Sequence, residues 1–269
     1  MKTVFITGAS SGIGKETAKF FQSKGWNVIA TMRNPQAEEE LSQLNNVSVL
    51  PCDVTDSNSI EEAITRGIGI YGDIDVLVNN AGYYLFGPAE SITREQVKNQ
   101  LDTNLLGLIE VTQRIIPHFR KKNSGIIINM SSIAGKVSIP LQSLYHASKW
   151  GVEGFSEGLQ YELKPFNIRI KIIEPGIIRT EFFGRSMVTT EKNGHEAYSS
   201  YYEKIIKNLY KKSEKGSAPI MVAKTIFKAA TDGTQKLRYT TGYSKYVVFL
   251  HNILPHRVYN RLIRNSMEK

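Results

Sequence analysis

Short apolar runs alternate with amphipathic stretches from the start of the chain. Thr3-Val4-Phe5-Ile6 reads as a strand, followed by a glycine-rich turn and a helical pattern from Ile13 to Lys24. The succession repeats with a strand from Trp26 to Thr31, helical residues 36–44, a strand over Val47-Ser48-Val49-Leu50, a helix over 57–71 and a strand over Ile74-Asp75-Val76-Leu77-Val78. A long helical tract covers about Thr93 to Lys122. Pro117 is expected to break or kink it, because proline removes a backbone donor and crowds the preceding turn. A strand from Gly125 to Asn129, a helix over 145–164, a strand from Ile168 to Ile173 and a last strand from Arg238 to Thr241 follow. Strands that are apolar on both sides and alternate with helices predict an α/β fold. The expected architecture is a doubly wound, mostly parallel, seven-stranded sheet with helices on both faces.

Residues 184–218 interrupt this alternation, as a small insertion above the sheet would. Tyr198, Tyr201, Tyr202, Ile205, Ile206, Leu209 and Tyr210 recur there at helical spacing with lysines between them, which predicts an amphipathic lid helix. Residues 244–269 form a tail that combines an apolar face with Arg257, Arg261 and Arg264. With no repeat, low-complexity tract or linker, residues 1–269 read as a single domain.

Composition narrows the class. A 41% hydrophobic and 22% charged chain of 269 residues is ordinary for a soluble globular protein and excludes a disordered or collagen-like one. The lone Cys52 excludes an internal disulfide and a cysteine-based metal cage, and suits a reducing compartment. The five histidines are scattered, so no metal is expected. The start of the chain lacks the apolar run of a signal peptide, and no stretch is long enough to span a bilayer. A cytoplasmic location follows, with peripheral membrane contact left open.

The net charge of +9 is unevenly placed. Residues 1–184 hold 18 Lys/Arg against 19 Asp/Glu, a net of −1, whereas residues 185–269 hold 16 against 6, a net of +10. Basic residues interleaved with tyrosines would suit nucleic acid, but no nucleic-acid motif accompanies them, and none is expected as a partner. A membrane surface or an acidic carrier remain as partners for this last third, as does packing of the tail on its own domain.

The chemistry-bearing motifs lie where the strands end. Thr7-Gly8-Ala9-Ser10-Ser11-Gly12-Ile13-Gly14 joins the first strand to the first helix. Its glycines allow a tight turn and close approach of a ligand, and the helix that follows offers unpaired N–H groups to a pyrophosphate. The second strand ends Ala30-Thr31-Met32-Arg33-Asn34, with Arg33 in reach and no acid, which favours the 2′-phosphate of NADP over the ribose of NAD. Asp53, with Val54 beside it, is placed to accept from an adenine amino group or to cap a turn. Tyr145 and Lys149 are one helical turn apart, so an ammonium can stabilise the phenolate and bring the phenol toward useful acid–base range. Ser131-Ser132, Asn79-Asn80-Ala81-Gly82 and Pro175-Gly176 close three further strands at the same edge, and Asn104 lies in the long helical tract, where a buried amide can hold a water.

Taken together, these motifs resemble the short-chain dehydrogenase/reductase family, from Thr7 through Thr180. The resemblance implies a Rossmann-like fold and hydride transfer between nicotinamide and a carbonyl or alcohol. It implies Tyr145 as acid/base, Ser132 on the substrate oxygen, Lys149 on the nicotinamide ribose and on the Tyr145 pKa, and Asn104 positioning a water in a relay to Lys149. The thirteen-residue spacing to Tyr145 favours Ser132 over Ser131. Gly8, Ser10, Ser11, Gly12, Ile13, Gly14, Arg33, Asp53, Val54, Asn80, Ala81, Gly82, Pro175, Gly176, Ile178 and Thr180 are then the cofactor residues, with Tyr145 and Lys149. A homodimer or homotetramer built on helices 93–122 and 145–164 is implied as well.

The expected substrate surroundings are apolar: Tyr83, Tyr84 and Phe86, then Val137, Ile139, Pro140, Leu141 and Leu144, then Phe182, Phe183 and Met187. Tyr84, Leu141, Phe182 and Met187 join Ser132 and Tyr145 as substrate residues, and a small lipophilic carbonyl or alcohol is favoured. Gly87-Pro88 and the Met32-Arg33-Asn34-Pro35 strand end are similar to members acting on steroids or retinoids. Two other readings stand beside this one. A 3-oxoacyl-carrier-protein reductase would suit the basic third but not the lid and tail. A non-catalytic NADP-sensing regulator would not need Asn104, Ser132, Tyr145 and Lys149 together.

Overall fold

A computed structural model describes residues 1–184, 186–190, 196–242 and 244–268. Its central sheet is built from β1 (Thr3–Ile6), β2 (Asn27–Met32), β3 (Val47–Pro51), β4 (Val76–Asn79), β6 (Gly125–Met130), β7 (Ile168–Pro175) and β9 (Arg238–Thr241). A separate pair joins β5 (Tyr84–Phe86) and β8 (Met187–Thr189). The seven strands run in the order β3-β2-β1-β4-β6-β7-β9, every neighbouring pair parallel. β1 and β4 are adjacent at the point where the winding reverses, and a parallel sheet of this kind opens a crevice at the carboxyl ends of its strands there.

The inner strands β1, β2, β4 and β6 are fully buried because each face is covered. On one side, Ala18 and Phe21 of α1 (Gly12–Ser23) pack with Val222 and Ile226 of α7 (Pro219–Thr231) over Val4, Val28 and Val76. On the other side, α2 (Ser57–Tyr71), α4 (Gly107–Lys121) and α5 (Ser143–Leu163) contribute Ile60, Val111, Phe119 and Leu159 over Phe5, Ile29 and Leu77. The bounds of α2 coincide with the expected 57–71 because both ends are signalled. The Asp56 carboxylate accepts from the Asn58 and Ser59 N–H groups, and Gly72 closes the helix at φ 76°.

Three expectations change. Residues 36–44 form two short 3₁₀ turns, Pro35–Ala37 and Leu41–Gln43, in place of a helix. The buried Glu38 carboxylate accepts from the Glu40 and Leu41 N–H groups between them, which satisfies donors that a helix would use internally. The long tract breaks not at Pro117 but earlier. α3 (Arg94–Leu101), opened by a Thr93/Gln96 capping box, runs into a π-helical turn at Asp102–Leu106, and α4 then passes straight through Pro117 with Ile115 and Phe119 anchored in the core. The insertion is more than helical: β8 pairs with β5 before α6 (Ser199–Glu214) begins. Residues 191–195 of the expected lid lie outside the described residues. The tail forms two helices, α8 (Ser244–Ile253) and α9 (His256–Glu268), separated at Leu254-Pro255. No described helix is long and apolar enough to cross a membrane.

Candidate active site

The carboxyl ends of six parallel strands open into one cleft of about 1100 Å³. At its floor, the glycine turn is clamped to the end of β4. The Asn80 Nδ2 donates to the carbonyls of Thr7 (3.0 Å) and Gly8 (2.9 Å), while the Thr7 Oγ1 accepts from the Asn80 and Ala81 N–H groups. Gly14 is required by this packing, since a Cβ there would lie 2.3 Å from the Gly8 carbonyl oxygen. Gly8 (φ 66°) and Gly12 (φ 54°) take the left-handed conformation. Ser11 caps α1 without a side-chain bond to the first-turn N–H groups, so those donors face the cleft unspent.

Ser132 follows β6 in an extended conformation, and its Oγ accepts from the Ala134 N–H at 3.1 Å. That bond leaves the hydroxyl hydrogen free to be donated. Ser132 and Tyr145 line the same cleft, and the Ser132 hydroxyl acts to lower the Tyr145 pKa, whereas the Ser131 Oγ packs where a Gly135 Cβ would stand. Lys149, one turn after Tyr145, is buried, donates to the Met130 carbonyl at 2.8 Å, and has its Nζ 5.9 Å from the Tyr145 ring centroid.

The electrostatics reverse one expectation. Burial pushes the Tyr145 phenol up to about 12, with only the Ser132 hydrogen bond acting the other way. Burial also pushes Lys149 down to about 8, opposed by the Glu153 carboxylate. Desolvation of a phenol held in an aromatic wall dominates, while the Lys149 ammonium is directed at a backbone carbonyl.

A family model described as short chain dehydrogenase matches residues 2–190. The chain belongs to the short-chain dehydrogenase family. A 3-ketodihydrosphingosine reductase of Bacteroides thetaiotaomicron is 35% identical over 246 residues, covering 91% of this chain and 90% of that protein. Among solved structures, a short-chain dehydrogenase from Streptomyces avermitilis superposes with a TM-score of 0.83 at 30% identity, covering 97% of this chain and 94% of that one. ElxO with NADP bound gives a TM-score of 0.74 at 29% identity, covering 91% and 99%.

In this dehydrogenase, Gly8, Ser10, Ser11, Gly12, Ile13, Arg33, Asp53, Val54, Asn80, Ala81, Gly82, Pro175, Gly176, Ile178 and Thr180 all line the cleft with Ser132, Tyr145 and Lys149. The Asp53 Oδ1 is taken up by the Thr55 N–H and hydroxyl, as a turn-capping aspartate would be. Tyr84 and Phe182 also line it, with Tyr84 edge-on to Tyr145 at 5.0 Å between ring centroids. Four expected site residues stand off the lining, Gly14 among them, packed against the Gly8 carbonyl and the Asn80 side chain. Asn104 is buried with its amide bonded at both ends to the Tyr83 backbone. Leu141 and Met187 pack into the apolar cluster around Tyr84, Phe86 and Tyr145 without forming the lining.

Some roles escaped the sequence reading. Thr7 and Tyr83 stood there as part of the glycine turn and of the apolar surroundings, but their bonds, like those of His146, run to or from backbone groups. The His146 ring spans from the Ala134 carbonyl (Nδ1, 2.8 Å) to the Ile139 N–H (Nε2, 3.0 Å) and so braces the segment after Ser132. Nothing in their spacing signals these bonds. Gln142 lines the cleft three residues before Tyr145, buried, with its Nε2 unpaired among the described residues.

Proposed function

We propose that this dehydrogenase is an NADP(H)-dependent reductase of lipophilic ketones or aldehydes, acting in reverse on the corresponding alcohols. The observation that carries this reading is the meeting of Ser132 and Tyr145 where the glycine-turn cleft runs into an apolar cluster of Tyr84, Phe86, Phe182, Phe183, Ile205 and Leu209. The cleft's donor set suits a dinucleotide: unspent first-turn N–H groups of α1 for the pyrophosphate and Asp53 and Val54 beside the expected adenine.

The end of β2 favours the phosphorylated form. Arg33 is exposed on the cleft lip. The acid lining that edge, Glu38, is buried and engaged by the Glu40 and Leu41 N–H groups and by Lys15 at 2.9 Å. Among the described residues lining the end of β2, no carboxylate is therefore left to receive a ribose 2′-hydroxyl, and a guanidinium is present to pair with a 2′-phosphate.

When bound, nicotinamide supplies the hydride. The protein's residues do the rest. Ser132 donates to the substrate oxygen and fixes it beside Tyr145. The Tyr145 hydroxyl gives its proton to that oxygen as negative charge develops, and a phenol held near 12 is fully protonated for this step at neutral pH. Lys149, as ammonium, lies near enough to stabilise the phenolate left behind. Asn104 serves by holding Tyr83 and the π-helical turn in place. The aromatic wall excludes water and receives an apolar chain. The 3-ketodihydrosphingosine reductase relative supports a long-chain ketone as the substrate class.

Leu106, Trp150 and Tyr161 are exposed around the outer face of the long helices, which supports a homo-oligomer formed there. The deciding experiment follows NADPH consumption with long-chain ketones, a 3-keto sphingoid base, retinal and a 3-oxoacyl thioester. Turnover of the apolar carbonyls, lost in Tyr145→Phe with NADPH binding retained, bears out the reading. Turnover of the thioester alone would transfer it to the acyl-carrier reductases, and NADPH binding without any turnover to a cofactor sensor.

A further inference from the structure

Among the described residues, six of the fourteen large apolar side chains left exposed belong to the last two helices. Tyr246, Phe249, Leu250 and Ile253 recur at i, i+3, i+4 and i+7, so they form one stripe along α8. Val258 and Leu262 sit one turn apart on α9. This is not a loose tail. α9 is seated by the buried Tyr259 and Met267, by Asn208 donating to the Met267 carbonyl at 2.8 Å and by Lys212 donating to the Ser266 carbonyl at 2.7 Å. The His251 and Tyr259 rings meet edge-on at 4.8 Å and tie α8 to α9.

The charge around the stripe selects what covers it. Lys245, Arg257, Arg261 and Arg264 are exposed and form no ion pair among the described residues, within a region of net +10. A second copy placed symmetrically on this face would set the same positive field against itself. A purely electrostatic partner, such as an acidic carrier, would leave a four-residue apolar stripe in water. An apolar stripe bordered by cations with long aliphatic stems suits the boundary between headgroups and acyl chains.

We propose that the α8–α9 pair is a docking surface for an anionic lipid bilayer. Met267, on the buried side of α9, belongs to the same apolar cluster as Tyr145, so the helix that carries part of the docking surface also packs against the substrate end of the cleft.

The test is co-sedimentation of the full chain with phosphatidylcholine vesicles, alone or with about 30 mol % phosphatidylglycerol. Binding is expected to the anionic vesicles and to fall as salt is raised. The pairs Phe249→Ser with Ile253→Ser and Arg257→Gln with Arg261→Gln are each expected to weaken it by roughly tenfold or more, with melting temperature and NADPH binding unchanged. Because the readout is sedimentation, the outcome is independent of which carbonyl is turned over. Failure to bind anionic vesicles, or equal binding to pure phosphatidylcholine, would overturn the proposal. Self-association in sedimentation velocity that the serine pair abolishes would also overturn it and give the face to a second copy.

Discussion

The Asn104 amide holds Tyr83 at both ends, its Nδ2 donating to the Tyr83 carbonyl at 2.8 Å and its Oδ1 accepting from the Tyr83 N–H at 3.0 Å. Gly82 permits the approach, since a Cβ there would lie 3.2 Å from the Asn104 Oδ1. The clamp joins the π-helical turn to the loop that carries Gly82, Tyr83 and Tyr84 into the cleft. Asn104→Leu would strand the Tyr83 N–H and leave the Tyr83 carbonyl only the Gln100 Nε2 at 3.1 Å. We expect a loss of about 1–3 kcal/mol in urea unfolding, with hydrogen exchange rising first at residues 82–84.

The alkaline limb of catalysis should report Lys149. Its ammonium persists below about 8, while Tyr145, near 12, stays protonated throughout. kcat/KM for NADPH in carbonyl reduction is therefore expected to be level below about 8 and to fall above it. The Glu153 carboxylate opposes the effect of burial on Lys149, so Glu153→Gln should move the break to lower pH. A merely structural loss would lower the rate without moving the break.

Behind Lys149, Glu153 and Glu174 are both buried, sharing the Arg238 guanidinium at 3.0 and 3.3 Å. Burial, reinforced by Glu153, pushes Glu174 up to about 7 from an ordinary 4.5. A carboxyl whose folded pKa is raised contributes stability that is present below its unfolded value and lost as pH rises through the folded one. Glu174→Gln should therefore equal the parent near pH 4.5 and exceed it above about 7, by on the order of 1–3 kcal/mol. Urea titrations at the two pH values measure the difference.

What was legible in the sequence was whatever local chemistry writes directly. The seven parallel strands followed from short strand-like runs alternating with helices, α2 from its helical pattern over 57–71, and the glycine turn from its three glycines. Tyr145 and Lys149 stood out as a pair one turn apart, the family resemblance joined Ser132 to them, and all three line the cleft. The π-helical turn was hidden, because it continues the helical tract without a glycine or proline to mark it, and Pro117 drew attention to the wrong place. The β5–β8 pair was hidden because three residues per strand are too few to show a period. Asn104, Leu141 and Met187 were placed in the site by motif or apolarity, yet tertiary packing set them behind its wall. The balance between burial and a neighbouring charge on Tyr145 depends on three-dimensional desolvation, which no spacing encodes.

Cofactor choice should rest on Arg33. With Glu38 committed to Lys15 and to backbone N–H groups, Arg33→Ala removes the cation at the end of β2 without exposing a competing carboxylate. Titration of the nicotinamide fluorescence should show NADPH affinity falling by roughly tenfold or more, with NADH affinity changed little. Equal losses for both would detach Arg33 from the 2′-phosphate.

Gln142 offers a finer test of what enters the pocket. Its side chain is buried in a largely apolar wall, and its unpaired Nε2 carries a desolvation cost in the protein by itself. A ligand oxygen that accepts from it would recover that cost. Substrates bearing a second oxygen near the reacting carbonyl should exploit this donor, whereas simple alkyl ketones should not. Gln142→Leu is therefore expected to lower kcat/KM for a hydroxy-ketone by roughly 10–100-fold while leaving the matched alkyl ketone nearly unchanged. Folding stability should stay level or rise slightly, because the substitution removes an orphaned donor from the apolar wall. Equal losses on both substrates would mean that Gln142 only shapes the start of α5, where it stands as the N-cap.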